Sequence, residues 1–219
     1  MAEGRLVIGT QRYSSWSLRG WLVVRLAELD VAVEVVPLAG AGQTKALKTL
    51  SPNGCVPYLE HRGAVVWDSL SIAEYCAEQQ ASLWPADPLE RAWARSVAAE
   101  MHSGFRAVRS ALPMNLGRNR ALAEPLADDV LKDIARINAI WTQGVERGGP
   151  FLCGQVMGNA DAMFAPVVCR FLSYDVPGLS SASQAYMQAM RHHPLMEEWY
   201  AAAAQEPKSW QLDGYENLA

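Results

Sequence analysis

The chain has 219 residues, 50% of them apolar, and a formal net charge of −4. This is enough apolar surface for a core without disulfides, and the scattered charges form no basic patch of the kind that binds nucleic acid. No apolar run approaches the roughly 20 residues that a membrane span needs, and no early apolar stretch follows a basic segment. We therefore expect a cytoplasmic protein that binds a small molecule, with no nucleic-acid partner and no membrane association.

The first 80 residues alternate between strand and helix patterns. Period-two runs, apolar positions at helical spacing and turn signals such as Arg62-Gly63 predict four strands and three helices. The predicted strands are 5–9, 31–36, 56–59 and 64–67, and the predicted helices are 16–29, a short one at the end of the loop 40–50, and 69–79. This order predicts an α/β domain over residues 1–80.

Residues 81–88 contain Pro85 and Pro88 and are typical of an interdomain linker. Beyond them almost every segment has helical spacing, with breaks at Pro113 and at residues 148–150. The predicted helices are 89–112, 125–147, 160–174, 180–191 and 195–204. An all-α domain over residues 89–219 is therefore predicted.

Pro57 interrupts an otherwise strand-like run. Because proline cannot donate to a sheet ladder, Pro57 is predicted at the first residue or the edge of its strand, with a cis bond to Val56. This arrangement leaves the backbone of Val56 free to pair with another group. About ten residues later, Asp68 and Ser69 precede an apolar-periodic run, the pattern of a helix N-terminus whose unpaired N–H groups attract a carboxylate.

Two serines, Ser14 and Ser15, directly precede the first predicted helix. Serines in this position are usually N-caps. A hydroxyl at a helix N-terminus can also donate a hydrogen bond to an anion such as a thiolate, with the help of the helix dipole. On spacing alone, both interpretations remain open.

Together, the Val56-Pro57 pair, the Asp68-Ser69 pair and residues 13–19 resemble the glutathione transferase family, most specifically over the first 80 residues. The resemblance implies a thioredoxin-like α/β N-terminal domain followed by an all-α C-terminal domain. It also implies glutathione as co-substrate, no separate cofactor, a small electrophile as second substrate, and a homodimer.

The resemblance further implies which residues contact glutathione. Val56 is expected to pair its backbone with the cysteinyl residue, and Gln43, with Lys45 as its nearest competitor, is expected to face the glycyl carboxylate. Asp68 and Ser69 are expected to hold the γ-glutamyl end. The expected glutathione-binding residues are Trp16, Gln43, Val56, Pro57, Asp68 and Ser69.

Ser14 matches the thiol-activating serine of the serine-type classes, with Ser15 as the second choice. The segment looks most like the zeta class, whose pattern here is Ser-Ser-Cys. Trp16 takes the place of that cysteine, which counts against zeta-type isomerisation of maleyl acids and against the thiol-dependent omega and glutaredoxin-like activities.

The second substrate is expected in the cleft between the domains. The candidate residues are Tyr13, Met101, His102, Phe105, Arg106 and Arg109. If either of the last two arginines points into the cleft, an acidic second substrate is expected. Arg19, one turn inside the first helix, is expected to be a surface or interdomain ion-pair partner.

The family also has a buried helix near residue 160, entered through a capping box. Asp161 matches its acidic member and Gly158 takes the capping position, so Asp161 is expected to be structural. The four cysteines are too widely spaced for a C-x-x-C motif, and no metal site is expected. They are expected to be free thiols, with Cys55 close to the path of a bound thiol tripeptide.

We therefore expect a glutathione transferase that activates the glutathione thiol for conjugation to a small electrophile. One alternative is a glutathione-dependent cis-trans isomerase, which regenerates the same thiolate. The other is a non-catalytic member of the fold that binds glutathione or a protein partner.

Overall fold

The computed structural model describes residues 2–40, 42–118 and 125–217. The N-terminal part has four strands, β1 (Gly4–Gly9), β2 (Ala32–Val36), β3 (Tyr58–His61) and β4 (Ala64–Val66), and three helices, α1 (Ser15–Leu26), α2 (Leu47–Leu50) and α3 (Ser69–Gln79). The strand order is β2-β1-β3-β4, with β1 and β2 parallel and the other pairs antiparallel.

The central strand β1 is covered on both faces. Leu6 and Ile8 belong to the main hydrophobic core, whereas Val7 packs with Val36 and Tyr58 in a smaller cluster on the opposite face of the sheet. Residues of one strand alternate between the two faces, so this division follows directly from the period of two. The α/β architecture expected for the N-terminal domain is confirmed.

The second part consists of helices α4 (Pro88–Ser103), α5 (Arg106–Ala111), α6 (Asp128–Val145), α7 (Asn159–Ser173), α8 (Ser181–Arg191), α9 (Pro194–Gln205) and α10 (Asp213–Glu216), with 3₁₀ turns at Ala81–Leu83 and Lys208–Trp210. The expectation of a helical C-terminal domain is confirmed. The short α10 and both 3₁₀ turns were not predicted, because segments of three or four residues carry no measurable helical period.

The predicted helix 89–112 is wrong, because two helices occupy that range. Gly104 ends α4, and Phe105 has a positive φ of 57° before α5 begins. The apolar spacing continues on both sides of the turn, which makes the pattern look like one helix.

Smaller differences are that α1 ends at Leu26, before Glu28 with its φ of 54°, and that α6 begins at Asp128, not at Pro125.

The peptide bond between Val56 and Pro57 is cis, as predicted, and β3 begins at the next residue. Pro57 packs against α1 at Gly20, where an added Cβ atom would lie 2.6 Å from the proline Cγ. A contact this short is sterically excluded, so a glycine is required at position 20 for the proline to lie against the helix.

The two parts of the chain share one hydrophobic core. Arg19 lies in their interface with only 2% of its surface exposed, and its Nε donates to the carbonyl oxygen of Met163 on α7 over 2.9 Å. The interdomain position expected for Arg19 is thus found. The expected surface exposure and ion pair are wrong, since the partner is a backbone carbonyl.

Asp161 stabilises the start of α7 as expected. Its Oδ2 accepts a hydrogen bond from the Gly158 N–H and its Oδ1 accepts one from the Leu152 N–H, each over 2.9 Å. The side chain is fully buried, and burial raises the pKa of Asp161 to about 6 from an ordinary value of 3.8.

This raised pKa has a defined effect on stability. Because the folded state binds the proton of Asp161 more tightly than the unfolded state, protonation contributes up to about 3 kcal/mol below pH 4, and the contribution disappears as the pH rises to about 6. Asp161→Asn cannot titrate. The unfolding free energy of the wild type relative to this variant should therefore fall between pH 4 and pH 6 in urea titrations.

Asp30→Asn, at an exposed aspartate, is the matched control and should show no such fall. A difference between wild type and Asp161→Asn that stays constant over this pH range would contradict the prediction.

Candidate functional site

A cavity of about 460 Å³ lies between the N-terminal loops and the helical domain. Six of the residues selected from the sequence line it: Tyr13, Ser14, Ser15, Trp16, Val56 and Arg109. The cavity is also lined by Leu38, Gly40, Gly42, Thr44, Leu47, Gly54, Cys55, Pro113, Met114, Arg170, Leu212 and Tyr215. Both parts of the chain thus contribute walls.

Ser14 is the N-cap of α1 and also faces the cavity. Its Oγ accepts from the Ser17 N–H over 3.3 Å and donates to the Ser17 Oγ over 2.7 Å, and that second hydroxyl in turn accepts from the Gly9 N–H. The capping interpretation of Ser14 is confirmed. Donation to a ligand requires the Ser14 hydroxyl to rotate away from Ser17.

Ser15 differs from its neighbour. It is the first residue of α1, it is more exposed than Ser14, and its Oγ accepts a 3.4 Å hydrogen bond from the Arg170 guanidinium. Ser15 needs no release from a cap to donate to a ligand. The choice between Ser14 and Ser15 as thiol activator stays a prediction.

Val56 contributes an unoccupied backbone edge to the cavity. Within the described residues, neither its N–H nor its C=O has a hydrogen-bond partner. Unpaired backbone groups of this kind are strong donors and acceptors for a peptide-like ligand. The cis bond to Pro57 holds this edge at the cavity wall.

Asp68 and Ser69 lie at the N-terminus of α3, outside the residues that line the cavity. The Oδ1 of Asp68 accepts from the Leu70 N–H over 2.8 Å, which makes Asp68 the N-cap. The Ser69 side chain is 1% exposed, and its Oγ has no partner in the part of the chain that the structure describes. A buried hydroxyl without a partner is costly and fits a group that is completed by a ligand.

His102 on α4 approaches Asp68. Its Nε2 lies 3.4 Å from the Asp68 Oδ2, and the imidazole also meets the edge of the Trp16 ring at 5.4 Å. Burial lowers the pKa of His102, and the carboxylate of Asp68 opposes that shift. His102 is absent from the cavity lining, and its contact with a second substrate stays a prediction.

Two arginines give the cavity its charge. Arg109 and Arg170 line it, and no acidic side chain is among the described lining residues. Burial lowers the pKa of the Arg170 guanidinium to about 10, with Arg109 as the next cause, and burial likewise lowers the pKa of Arg109. Both cations are held by backbone carbonyls, Arg170 by Leu112 over 2.7 Å and Arg109 by His102 over 3.0 Å.

Trp16 packs against two arginines, Arg19 and Arg109. The guanidinium carbons of Arg19 and Arg109 lie 4.6 Å and 4.9 Å from its ring centroid. A π face stabilises a nearby cation, and more so when the pair is desolvated. Trp16 therefore packs against two cations at the position where the zeta pattern has a cysteine.

Several expected residues do not reach the cavity. Met101 is fully buried in the hydrophobic core, and Phe105 is 7% exposed in the same core, so neither lines the cavity, and their contact with a second substrate stays a prediction. Arg106 is exposed on a separate surface groove beside Asp129. Gln43 is exposed and absent from the cavity lining, and its role remains a prediction.

The N-terminal part of the chain is similar in sequence to known proteins. Residues 13–79 match the family model described as "Glutathione S-transferase, N-terminal domain". Residues 13–79 of the chain are therefore similar in sequence to the N-terminal domain of glutathione S-transferases. A relative from Caenorhabditis elegans named "Probable maleylacetoacetate isomerase" is 31% identical over 108 residues, which are 48% of this chain and 50% of the relative. The match thus spans about half the length of that relative.

Solved structures of glutathione transferases share this fold over more than nine-tenths of the chain. A glutathione transferase homologue from Burkholderia gl BGR1 with bound glutathione has a TM-score of 0.70 at 20% identity, covering 93% of this chain and 99% of that one. A theta class enzyme from Xanthomonas axonopodis pv. citri with glutathione bound has a TM-score of 0.66 at 22% identity, covering 94% and 99%. Among the described helices, none has the length and apolarity to cross a membrane.

Sequence reasoning missed several residues of this cavity, among them Arg170, the pair Pro113 and Met114, and the C-terminal residues Leu212 and Tyr215, whereas Cys55 lies where it was expected. Arg170 did carry a signal, because it interrupts a long apolar run in α7 and a charge there must have a buried partner or face a cavity. The C-terminal residues carried none, since nothing in their local pattern predicts contact with residue 13.

Proposed function

We propose that this protein is a glutathione transferase that binds glutathione along the Val56 edge and activates its thiol beside Ser14, with Ser15 as the second choice. The observation that carries the proposal is the free backbone edge of Val56 before the cis proline, in a cavity that also contains the two serines at the start of α1. The unpartnered hydroxyl of Ser69 at the start of α3 supports binding of the γ-glutamyl end.

The chemical task is to stabilise a thiolate. A cysteine-like thiol with a pKa of about 8.5 is only a few per cent ionised at neutral pH. A serine hydroxyl that donates to sulfur at the N-terminus of α1 stabilises the anion together with the helix dipole. The cations of Arg109 and Arg170 add a favourable field, because no lining carboxylate among the described residues neutralises them.

An ultraviolet titration of enzyme-bound glutathione tests this proposal. In the wild type, thiolate absorbance should appear at least one pH unit below the free thiol, a shift worth about 1.4 kcal/mol. Ser14→Ala should remove most of that shift, whereas Ser15→Ala should remove little. Ser110→Ala, an exposed serine on α5, is the control and should leave the titration unchanged.

A shift that disappears only in Ser15→Ala would transfer the role to Ser15. Glutathione that binds with an ordinary thiol pKa would refute catalysis and favour the non-catalytic binding protein.

A second candidate function is isomerisation or conjugation of an acidic substrate. Arg109 and Arg170 line a cavity without a described carboxylate, and the curated relative is named as a probable maleylacetoacetate isomerase. Trp16 takes the place of the cysteine in the zeta pattern. Turnover of maleylacetone without consumption of glutathione would indicate isomerisation, and turnover with consumption of glutathione would indicate conjugation.

Arg109 gives a direct test of the acidic substrate. With 4-chloro-3-nitrobenzoate as the electrophile, Arg109→Gln should lower kcat/KM at least about tenfold, because a charge-assisted contact is worth about 1.5–3 kcal/mol. With the methyl ester of the same acid, kcat/KM should fall clearly less, because only the contribution of Arg109 to the thiolate field is lost. Arg106→Gln is the matched control, since Arg106 lies on the same helix in a separate groove.

Equal losses for the acid and the ester in Arg109→Gln would contradict a carboxylate contact and indicate a structural role for this arginine.

We also propose a homodimer and a cytoplasmic location. The apolar side chains of Val65 and Trp67, at and directly after β4, are 50% and 43% exposed, which supports an interface there. The four free cysteines are consistent with a reducing compartment.

Sedimentation equilibrium should give twice the chain mass of 24.0 kDa, and Trp67→Glu should shift the equilibrium to the single chain. Leu131→Glu, at an exposed leucine on α6, is the control. A wild type that sediments as a single chain at micromolar concentration would refute the dimer.

A further inference from the structure

The segment of residues 206–216, which we call the C-terminal strap, follows α9 and forms part of the cavity wall through Leu212 and Tyr215. A carboxylate lies at each end of the strap, Glu206 and Glu216. Both contact the loop of residues 11–13, which leads directly into the Ser14 cap. The strap is therefore connected to the serine end of α1 at two places.

The first connection is a backbone anchor. Glu206 accepts hydrogen bonds from the Gln11 N–H over 2.5 Å and from the Arg12 N–H over 3.1 Å. The Trp199 Nε1–H of α9 donates to the Gln11 carbonyl over 3.1 Å. Three bonds to the backbone of two adjacent residues hold this end of the strap to the loop.

The second connection depends on side chains. The Glu216 Oε1 accepts from the Tyr13 hydroxyl over 2.5 Å and from the Asn115 Nδ2 over 3.3 Å, and it lies 3.6 Å from the Arg12 Nη1. The Tyr13 oxygen also accepts a 3.2 Å hydrogen bond from the Leu212 N–H, and the rings of Tyr13 and Tyr215 are 5.3 Å apart. One tyrosine hydroxyl thus joins two points of the strap.

These contacts determine what the Tyr13 hydroxyl can do. Burial raises the pKa of Tyr13, with the Glu216 carboxylate as the next cause, so the phenol keeps its proton. That proton is already donated to Glu216. Tyr13 therefore has no proton to offer a thiolate or a second substrate while the strap is closed.

We propose that Tyr13 is a positioning residue that, together with Glu216, latches the C-terminal strap over the cavity, and that opening of this latch controls the exchange of the second substrate and product. This inference rests on the proposed transferase function. The strap opens at Glu216 and stays bound at Glu206, because Glu216 lies in the single-turn helix α10 and is held mainly by side chains. Segments with few buried contacts open first, and lid opening often limits turnover in enzymes.

The Leu212 amide is a direct reporter of the latch, since its hydrogen bond ends on the Tyr13 oxygen. Hydrogen–deuterium exchange of the full chain should be about tenfold faster at Leu212 in Tyr13→Phe and in Glu216→Gln, the factor expected for loss of one hydrogen bond. Asp213→Asn removes a carboxylate from the same short helix at an exposed position and serves as the control.

Ligand exchange is then measured with S-hexylglutathione, whose alkyl group extends beyond the glutathione sulfur. Its dissociation rate should rise about tenfold in Tyr13→Phe and Glu216→Gln, while the Kd of glutathione itself changes less than twofold. Asp213→Asn should leave both quantities unchanged.

Unchanged Leu212 exchange in both variants would overturn the latch. Faster exchange with an unchanged dissociation rate of S-hexylglutathione would overturn its control of ligand exchange. Failure of the wild type to bind glutathione would refute the proposed function, whereas normal glutathione binding with unaltered S-hexylglutathione release refutes only the control of ligand exchange by the latch.

Discussion

Burial of helix α1 is the constraint on which the cavity depends. The helix packs against α3 and the sheet on one side and against α7 on the other, and Arg19 and Trp21 contact Met163 and Trp199 of the helical domain. Because its residues are buried nearly all round, α1 cannot shift relative to either part of the chain without losing core contacts. The serine cap at its start is therefore held in one position between the Val56 edge and the arginines of the helical domain.

The same packing concentrates positive charge. Burial and the nearby cations of Arg109 and Arg170 lower the pKa of Arg19 well below its usual range, which indicates that the protein holds three cations close together at a cost. The carbonyl contacts and the Trp16 ring offset part of that cost. Two of these cations, Arg109 and Arg170, line the cavity, which fits the chemistry of a bound thiolate and of an acidic ligand.

The features that were predicted correctly from the sequence each depend on residues that lie close together in the chain. The cis bond before Pro57, the Asp68 cap and the Gly158 to Asp161 contact each depend on residues at most three positions apart. The failures depend on tertiary structure. The helical spacing of Met101 is typical of core residues, and it does lie in the core, whereas the resemblance placed it at the cleft. Leu212 contacts Tyr13 across 199 positions of sequence, which no local pattern can predict.

The turn at Gly104 and Phe105 determines which side chains of α5 face the cavity. Helix α5 restarts after this turn, so its rotation about its own axis is set independently of α4. Each residue added to or removed from the turn would rotate α5 by about 100°, because an α-helix has 3.6 residues per turn. Such a change would replace Arg109 at the cavity wall by a neighbouring side chain. The length of a two-residue connection therefore determines which side chain of α5 lines the cavity.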